Sequence, residues 1–172
     1  MLKSLIKRRH KNSSDSIKVN WERSLAFLKS FDGEYVPFSK IDIKFCENFK
    51  TFLLSAPNGG NKKGTLSQNS AATYFSIFKA ALKQAFIDEY FLTDISAKLK
   101  GISEIESRRE YLTIDELNTL VETHCDYEVV KRAALFSALT GLRLSDIQKL
   151  KWEEITIEND SPRIHFTQQK TK

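Results

Sequence analysis

The amino-acid sequence predicts a mainly α-helical protein whose last part forms a β-hairpin, and three observations support this. Apolar residues recur every three to four positions through most of the chain before Ile155, as on one face of an amphipathic helix. A polar stretch without periodicity, residues 103–110, interrupts this pattern. After Ile155 the apolar period changes to two, which is typical of strands. The chain is therefore expected to hold two units joined by a linker.

Four helices are predicted in the first hundred residues. Trp21, Leu25 and Leu28 follow the spacing i, i+4, i+7 of a helical face. The predicted ranges are 15–31, 41–56, 67–91 and 93–102, the last beginning at a Thr93 cap. Their aromatic residues are expected to pack in a helical core rather than to stack on nucleic-acid bases: Phe45, Phe49, Phe52, Tyr74, Phe75 and Phe78.

A loop is predicted between the second and third helices. Residues 57–68 contain one proline, three glycines and two asparagines, which do not favour regular structure. The two lysines of this loop, Lys62 and Lys63, are therefore expected to point outward.

The second half of the chain opens with a clear helix-start signal. Thr113 and Glu116 have the spacing of a capping box, in which each side chain bonds the other residue's backbone N–H. Two helices are expected to follow, over residues 114–124 and 128–139. Beyond them, alternating apolar residues on either side of residues 159–162 predict a hairpin with its turn in that segment.

Composition limits the class of protein. The 172 residues are 41% hydrophobic, enough for a globular core, and no stretch approaches the roughly 18 apolar residues of a transmembrane helix. The first residues lack the apolar stretch of a secretory signal, so a cytoplasmic location without membrane contact is expected. Cys46 and Cys125 lie far apart without metal-site spacing, which predicts buried reduced thiols and neither a metal nor a cofactor.

Charge is unevenly distributed along the chain. Residues 1–110 hold 19 lysines and arginines against 12 acidic residues, whereas residues 111–172 hold 8 against 10. A basic first half is expected to bind a polyanion, because lysine and arginine that neutralise phosphates release condensed counterions. Charge alone leaves open the alternative of a basic surface that is simply solvated.

Arg143 follows a glycine and precedes an apolar helical pattern. Gly141 is expected to end one helix, and Ser145 with Gln148 to form a capping box for the next. A guanidinium placed there matches phosphate oxygens, because the free N–H groups of a helix N-terminus also favour an anion. The alternative is a surface arginine paired with an acid such as Asp146 or Glu154.

The segment LTGLRLSDIQKLKWEEI, residues 139–155, resembles the first arginine box of tyrosine-type site-specific recombinases, the phage integrase family. YLTIDELNTL, residues 111–120, resembles the opening helix of that family's catalytic domain, and residues 66–91 resemble its DNA-contacting helix. The overall likeness is to integrases of Bacteroides-type mobile elements.

This resemblance implies the fold and domain order. Residues 1–104 are expected to form a helical SAM-like core-binding domain, 105–111 a linker, and 112–172 the N-terminal part of an α+β integrase catalytic domain with a β-hairpin.

The resemblance also implies roles for individual residues. Arg143 matches the first catalytic arginine, which binds the scissile phosphate. Asp146 matches an acidic position that orients active-site groups. Lys170 matches the β-hairpin lysine that protonates the leaving 5′ oxygen, with Lys172 as its alternative because a two-residue shift keeps the same face of a strand. If Arg143 has this role, its side chain is expected to face a basic groove rather than bulk water or an unrelated carboxylate.

Two elements of the family are missing from these 172 residues. All five tyrosines precede Arg143, whereas the family's nucleophile follows it at a distance, and no histidine begins a His-x-x-Arg box. A truncated recombinase that binds double-stranded DNA without cleaving it is therefore expected, associated with the nucleoid and self-associating on DNA as the family's tetramers do. The alternatives are a non-catalytic integrase-like DNA-binding module or regulator, and a helical interaction domain that never meets DNA.

The first domain and the linker are expected to contact DNA mainly through phosphates, which position a protein without reading sequence. The residues predicted to make these contacts are Lys62, Lys63, Gln68, Asn69, Thr73, Lys79, Lys83, Arg108 and Arg109.

Overall fold

A computed structural model describes residues 15–58, 64–106 and 110–165. The chain divides into two compact units, Met1–Ser107 and Arg108–Lys172. The prediction of a mainly helical chain with a β-hairpin is confirmed. Within the described ranges, no helix has both the length and the apolar character needed to cross a membrane.

The first unit is helical. Its helices are α1 (Asp15–Asp32), α2 (Ile43–Ser55), α3 (Gln68–Ile87) and the short α4 (Ile95–Lys98), with a 3-10 turn at Phe38–Lys40. Side-chain caps begin three of them, because Asp42, Ser67 and Asp94 accept hydrogen bonds from backbone N–H groups of the first turn. The predicted Thr93 cap is wrong: the capping residue is Asp94, whose carboxylate accepts from Ala97 N–H at 3.2 Å.

The core of this unit lies between α1, α2 and α3. Phe49, Phe75 and Phe78 are almost completely buried, and the rings of Phe49 and Phe78 meet edge to face with centroids 4.9 Å apart. Ser24 brings α1 close to α3, since its buried hydroxyl donates to Tyr74 O at 2.9 Å. The prediction that the aromatic residues form core is confirmed, with Phe52 half-buried at its edge.

The loop between α2 and α3 is closed at its base. Leu66 N–H donates to Ala56 O and Asn58 N–H to Gly64 O, both at 2.8 Å, and Pro57 pairs with Thr65 in an antiparallel bridge. Residues 59–63, with Lys62 and Lys63, lie outside the described residues.

The second unit contains α5 (Ile114–Glu122), α6 (Glu128–Thr140), α7 (Leu144–Ile147), a 3-10 turn at Trp152–Glu154, and strands β1 (Ile155–Glu158) and β2 (Ser161–Ile164). The predicted capping box begins α5: Thr113 N–H donates to Glu116 Oε2 at 2.7 Å, and Glu116 N–H donates to Thr113 Oγ1 at 3.3 Å.

The hairpin is tighter than predicted. Asn159 and Asp160, with φ of 49° and 59°, form the whole loop, so Ser161 and Pro162 belong to β2 and not to the turn. Two consecutive positive φ values are those of a type I′ turn, whose twist matches that of the strands. Pro162 is tolerated because it lies in a two-stranded sheet opposite Ile157.

Candidate phosphate site and nucleic-acid interface

The turn before Arg143 is fixed by its own residues. Gly141 adopts the left-handed conformation at φ 71°, and its N–H donates to Ser137 O at 2.8 Å, which ends α6 as predicted. Ser137 Oγ donates to Leu142 O at 2.7 Å, and Leu142 N–H donates to Thr140 Oγ1 at 3.3 Å. The buried Leu142 side chain anchors the turn, so the backbone that carries Arg143 has a defined position.

Arg143 is exposed and makes no ion pair or side-chain hydrogen bond with any described residue. The pairing with Asp146 or Glu154 is therefore absent from the described part of the chain, and Glu154 instead accepts from Lys151 N–H at 2.8 Å. Arg143 is exposed to solvent, so the expectation that its side chain faces a basic groove is not met among the described residues.

The helix after Arg143 differs from the prediction. Arg143 itself occupies the N-cap position, in extended conformation, and Ser145 lies inside α7, so the Ser145–Gln148 capping box is wrong. The first backbone bond of α7 runs from Asp146 N–H to Arg143 O at 2.9 Å, which leaves the N–H groups of Leu144 and Ser145 outside the helical ladder. A four-residue helix has a small dipole, so the affinity of this turn for an anion depends on the guanidinium.

Asp146 has an unusual environment for a carboxylate. Its side chain is buried, with 7% of the residue exposed, and its Oδ2 has no hydrogen-bond partner among the described residues. A buried carboxylate oxygen without a partner is costly, because desolvation is not compensated. The sequence singles out Asp146 through its match to the family pattern, whereas its burial is visible only in the structure.

Two predicted DNA-contacting residues at the start of α3 are engaged within the chain. Gln68 Nε2 donates to Ser103 O at 2.7 Å. Asn69 makes a pair of bonds with one peptide unit: its Nδ2 donates to Ile105 O at 2.9 Å, and its Oδ1 accepts from Ile105 N–H at 2.8 Å. Both amides therefore hold the segment that follows α4.

Two further predicted contacts on α3 also have partners. Thr73 Oγ1 donates to Asn69 O at 2.9 Å, a bond within the helix. Lys79 is half-buried, and its Nζ donates to Leu99 O at 2.6 Å. It makes no ion pair with a described carboxylate. Gln68, Asn69 and Lys79 are thus brought together along one segment of backbone.

Lys83 differs from these residues because it is exposed and lacks an ion pair within the described ranges. The pKa of Asp94 lies below its usual value, mainly because Ser96 Oγ donates a hydrogen bond to that carboxylate. The positive charge of Lys83 makes a smaller contribution. Sequence reasoning missed Lys98 and Lys100, which are exposed on either side of the buried Leu99. The alternation of charged and apolar residues in KLK, residues 98–100, is the sequence pattern that could have identified these two lysines as exposed.

The remaining predicted site residues cannot be placed. Lys62, Lys63, Arg108, Arg109, Lys170 and the alternative Lys172 lie outside the described residues. Their predicted roles stay predictions.

Comparison with known proteins identifies the first unit. The family model of the phage integrase SAM-like domain matches residues 1–100, and no curated protein or solved structure gives a match. The matched family supports the resemblance to tyrosine-type recombinases and a role in DNA binding and site-specific recombination. The finer likeness to Bacteroides-type elements stays a prediction. Since the model covers more than half of its length, the chain belongs to the phage integrase SAM-like domain family.

Proposed function

We propose that this chain is the DNA-holding part of a tyrosine-type integrase of a mobile element. The enzyme would break and rejoin DNA at specific sites through a 3′-phosphotyrosyl intermediate, which conserves the energy of the phosphodiester bond. The first unit, within the integrase SAM-like family, would hold duplex DNA in the cytoplasm, in contact with the nucleoid. The second unit, which carries Arg143, would supply part of the catalytic site.

The observation that carries this proposal is the match of residues 1–100 to the phage integrase SAM-like domain. The catalytic role is assigned to Arg143, which matches the first arginine of the family pattern. Its backbone is fixed by the turn at Gly141, and its donors have no partner among the described residues. A bidentate donor presented in this way suits the non-bridging oxygens of a phosphodiester, where charge develops during attack on phosphorus. Such a donor is typically worth about 3 kcal/mol in the transition state.

Two other residues would complete this part of the site. The buried Asp146 Oδ2 would accept a hydrogen bond from another active-site group and hold it in place, which would satisfy an otherwise unpaired oxygen. Lys170 would act as general acid toward the leaving 5′ oxygen, with Lys172 as its alternative.

The DNA surface of the first unit would be built from exposed lysines without carboxylate partners. Lys83, Lys98 and Lys100 are exposed and make no ion pair with a described residue, and the bond from Lys79 to Leu99 O brings the chain around Lys98 and Lys100 to α3. Each lysine that contacts a phosphate contributes about 0.9 to the slope of log affinity against log salt. Lys62, Lys63, Arg108 and Arg109 would extend this surface.

Cleavage requires groups that these 172 residues lack, namely a tyrosine after Arg143 and a His-x-x-Arg box. We therefore propose that these residues alone bind DNA without cutting it, and that a catalytic form, which requires both groups, assembles as a tetramer on DNA. The second candidate is a non-catalytic integrase-like regulator. A reading frame that continues past Lys172 with both groups favours the enzyme, and one that stops favours the regulator.

The test measures duplex binding by the 172 residues, together with cleavage of a suicide substrate by a form that continues to the tyrosine. Arg143→Ala is expected to lower the cleavage rate about 10²–10³-fold. Arg143→Lys keeps the charge but loses the bidentate geometry, so it should recover only part of that loss. Arg163→Ala is the matched control, because Arg163 is already paired with Glu158 at 3.1 Å.

Normal cleavage by Arg143→Ala would contradict the catalytic role of Arg143. The proposal that the chain binds DNA would not be affected. Duplex binding that does not change with salt concentration would contradict the DNA role itself and favour a protein-interaction domain.

A further inference from the structure

The segment after α4 has no regular secondary structure, yet side chains of α3 bond its backbone at three positions, Leu99, Ser103 and Ile105. Residues 101–106 form neither helix nor strand, and four of them from Ser103 onward are exposed. Four side-chain hydrogen bonds hold the backbone between Leu99 and Ile105: one from Lys79, one from Gln68 and two with Asn69. These bonds join residues 20 to 36 positions apart, so they are tertiary contacts and not local turn bonds.

The bonds follow an order along the helix. Leu99 is bonded by Lys79, and Ile105 by Asn69, so the segment runs antiparallel to α3. Ten helical residues span about 15 Å, and six extended residues span at most about 20 Å, so the segment is long enough to follow this stretch of α3. Gln68 and Lys79 are eleven residues apart, which is close to three full turns and places them on one side of α3.

Apolar contacts fix the near end of the segment, and polar bonds fix its far end. Leu99 is buried and Ile102 packs against the core. Beyond Ile102 the apolar support ends, since Ile105 is 58% exposed. The amide of Asn69 satisfies both backbone groups of Ile105, as a neighbouring strand would.

We infer that Gln68, Asn69 and Lys79 are positioning residues that clamp residues 99–105 to α3 and fix where the chain leaves the first unit. The clamp extends past residue 100, where the match to the integrase SAM-like domain ends. Gln68 and Asn69 then serve the chain's own backbone instead of DNA bases. Because both amides are used, the DNA surface on this side of the unit consists of the lysines and not of these two residues.

The clamp has a consequence that depends on the proposed function. If both units engage the same duplex, the tether between them begins after Ile105 and not after Leu99. Release of the clamp would lengthen the tether by six residues and lower the effective concentration of the second unit on DNA.

The decisive experiment is amide hydrogen exchange on the whole 172-residue chain without DNA. Asn69→Ala removes both bonds to Ile105, so exchange of the Ile105 amide should rise about ten- to thirtyfold, while the amides in the middle of α3 stay unchanged. Asn69→Asp keeps the acceptor for Ile105 N–H and loses the donor, so it should retain part of the protection. Asn48→Ala is the matched control, because Asn48 is exposed on α2 and its side chain has no hydrogen bond among the described residues.

An Ile105 amide that exchanges equally fast in Asn69→Ala and in the unchanged protein would overturn the inference. Equal exchange rates of that amide in Asn69→Asp and Asn69→Ala would contradict the role of Asn69 Oδ1 as the acceptor for Ile105 N–H. The DNA measurement separates this inference from the proposed function: Asn69→Ala should leave the salt slope of duplex binding unchanged, because the amide carries no charge and releases no counterion. A chain that binds no DNA but shows the exchange effect would refute only the proposed function.

Discussion

Helices α3 and α6 both carry apolar residues at helical spacing, but their surroundings differ. Eight residues of α3 are buried, whereas none of α6 is buried, and in α6 the side chains of Val129 and Leu139 are 81% and 75% exposed. The same contrast holds for the two units: among the described residues, 18 apolar side chains are buried in the first unit, and only one, that of Leu142, is buried in the second. An amphipathic pattern predicts a helix, but it does not say what covers the apolar face.

The helices of the second unit are defined by local devices. A capping box begins α5, a left-handed glycine ends α6, and Lys131 Nζ donates to Thr123 O at 2.6 Å across the connection between them. Such devices are worth about 1 kcal/mol each, and isolated helices shorter than about 12–15 residues are marginal in water. The first unit gains its stability from burial, so the two units should respond differently to the same perturbation.

The largest expected difference is in thiol reactivity, because each unit contains one cysteine. Cys46 is fully buried, and burial, with smaller contributions from Asp42 and Glu47, raises its pKa to about 12. Cys125 is partly exposed, so the prediction of a buried thiol is wrong at this position. At pH 8 a maleimide should therefore label Cys125 readily and Cys46 at least about 10³-fold more slowly, since the thiolate is the reactive form and Cys46 needs unfolding to be reached.

Single-cysteine variants assign the two rates. Cys46→Ala should keep the fast phase and Cys125→Ser should abolish it. Fast labelling of both thiols would mean that the first unit opens as easily as the second, which would remove the contrast.

Removal of a core ring should affect the first unit alone. Phe49→Ala should lower the free energy of unfolding by about 3–5 kcal/mol, because a completely buried ring leaves a cavity. Trp152→Ala, at 88% exposure, should change it by less than about 0.5 kcal/mol. The chain has two tryptophans, so Trp152→Ala leaves the buried Trp21 as sole fluorophore, and urea unfolding of Phe49→Ala in this background reports the first unit directly. Equal urea unfolding midpoints for Trp152→Ala with and without Phe49→Ala would contradict the place of Phe49 in the core.

Sequence spacing predicted the features that depend on neighbours along the chain. The Thr113 capping box, the end of α6 at Gly141 and the aromatic faces of α2 and α3 follow from residues within one or two turns of each other. The error at Ser145 is of another kind. Ser145 has the composition of a cap, but the anchored Leu142 starts α7 two residues earlier, so tertiary contact overrides the local signal.

The features that matter most for the candidate site depend on distant residues. The bonds between Asn69 and Ile105 join positions 36 apart, and both residues look like ordinary surface positions in the sequence. The burial of Asp146 is likewise a feature that no spacing rule gives. Family resemblance can point to such residues, but their environment has to come from coordinates.

The smallest expected effect concerns the cap of α5, and it tests whether local devices hold the second unit. The pKa of Glu116 lies below its usual value, because Thr113 N–H and then Thr113 Oγ1 donate to its carboxylate. A carboxyl whose pKa is lowered by folding stabilises the cap above its unfolded pKa of about 4.3, and this stabilisation is lost as the pH falls through the lowered value. The amide proton shift of Thr113 should therefore titrate with a midpoint below the pKa of an unfolded glutamate, and Glu116→Gln should remove this titration while Thr113 Oγ1 still caps the helix. A Thr113 amide that does not respond to pH in the unchanged protein would mean that the capping box is open in solution, and that α5 depends on contacts other than its cap.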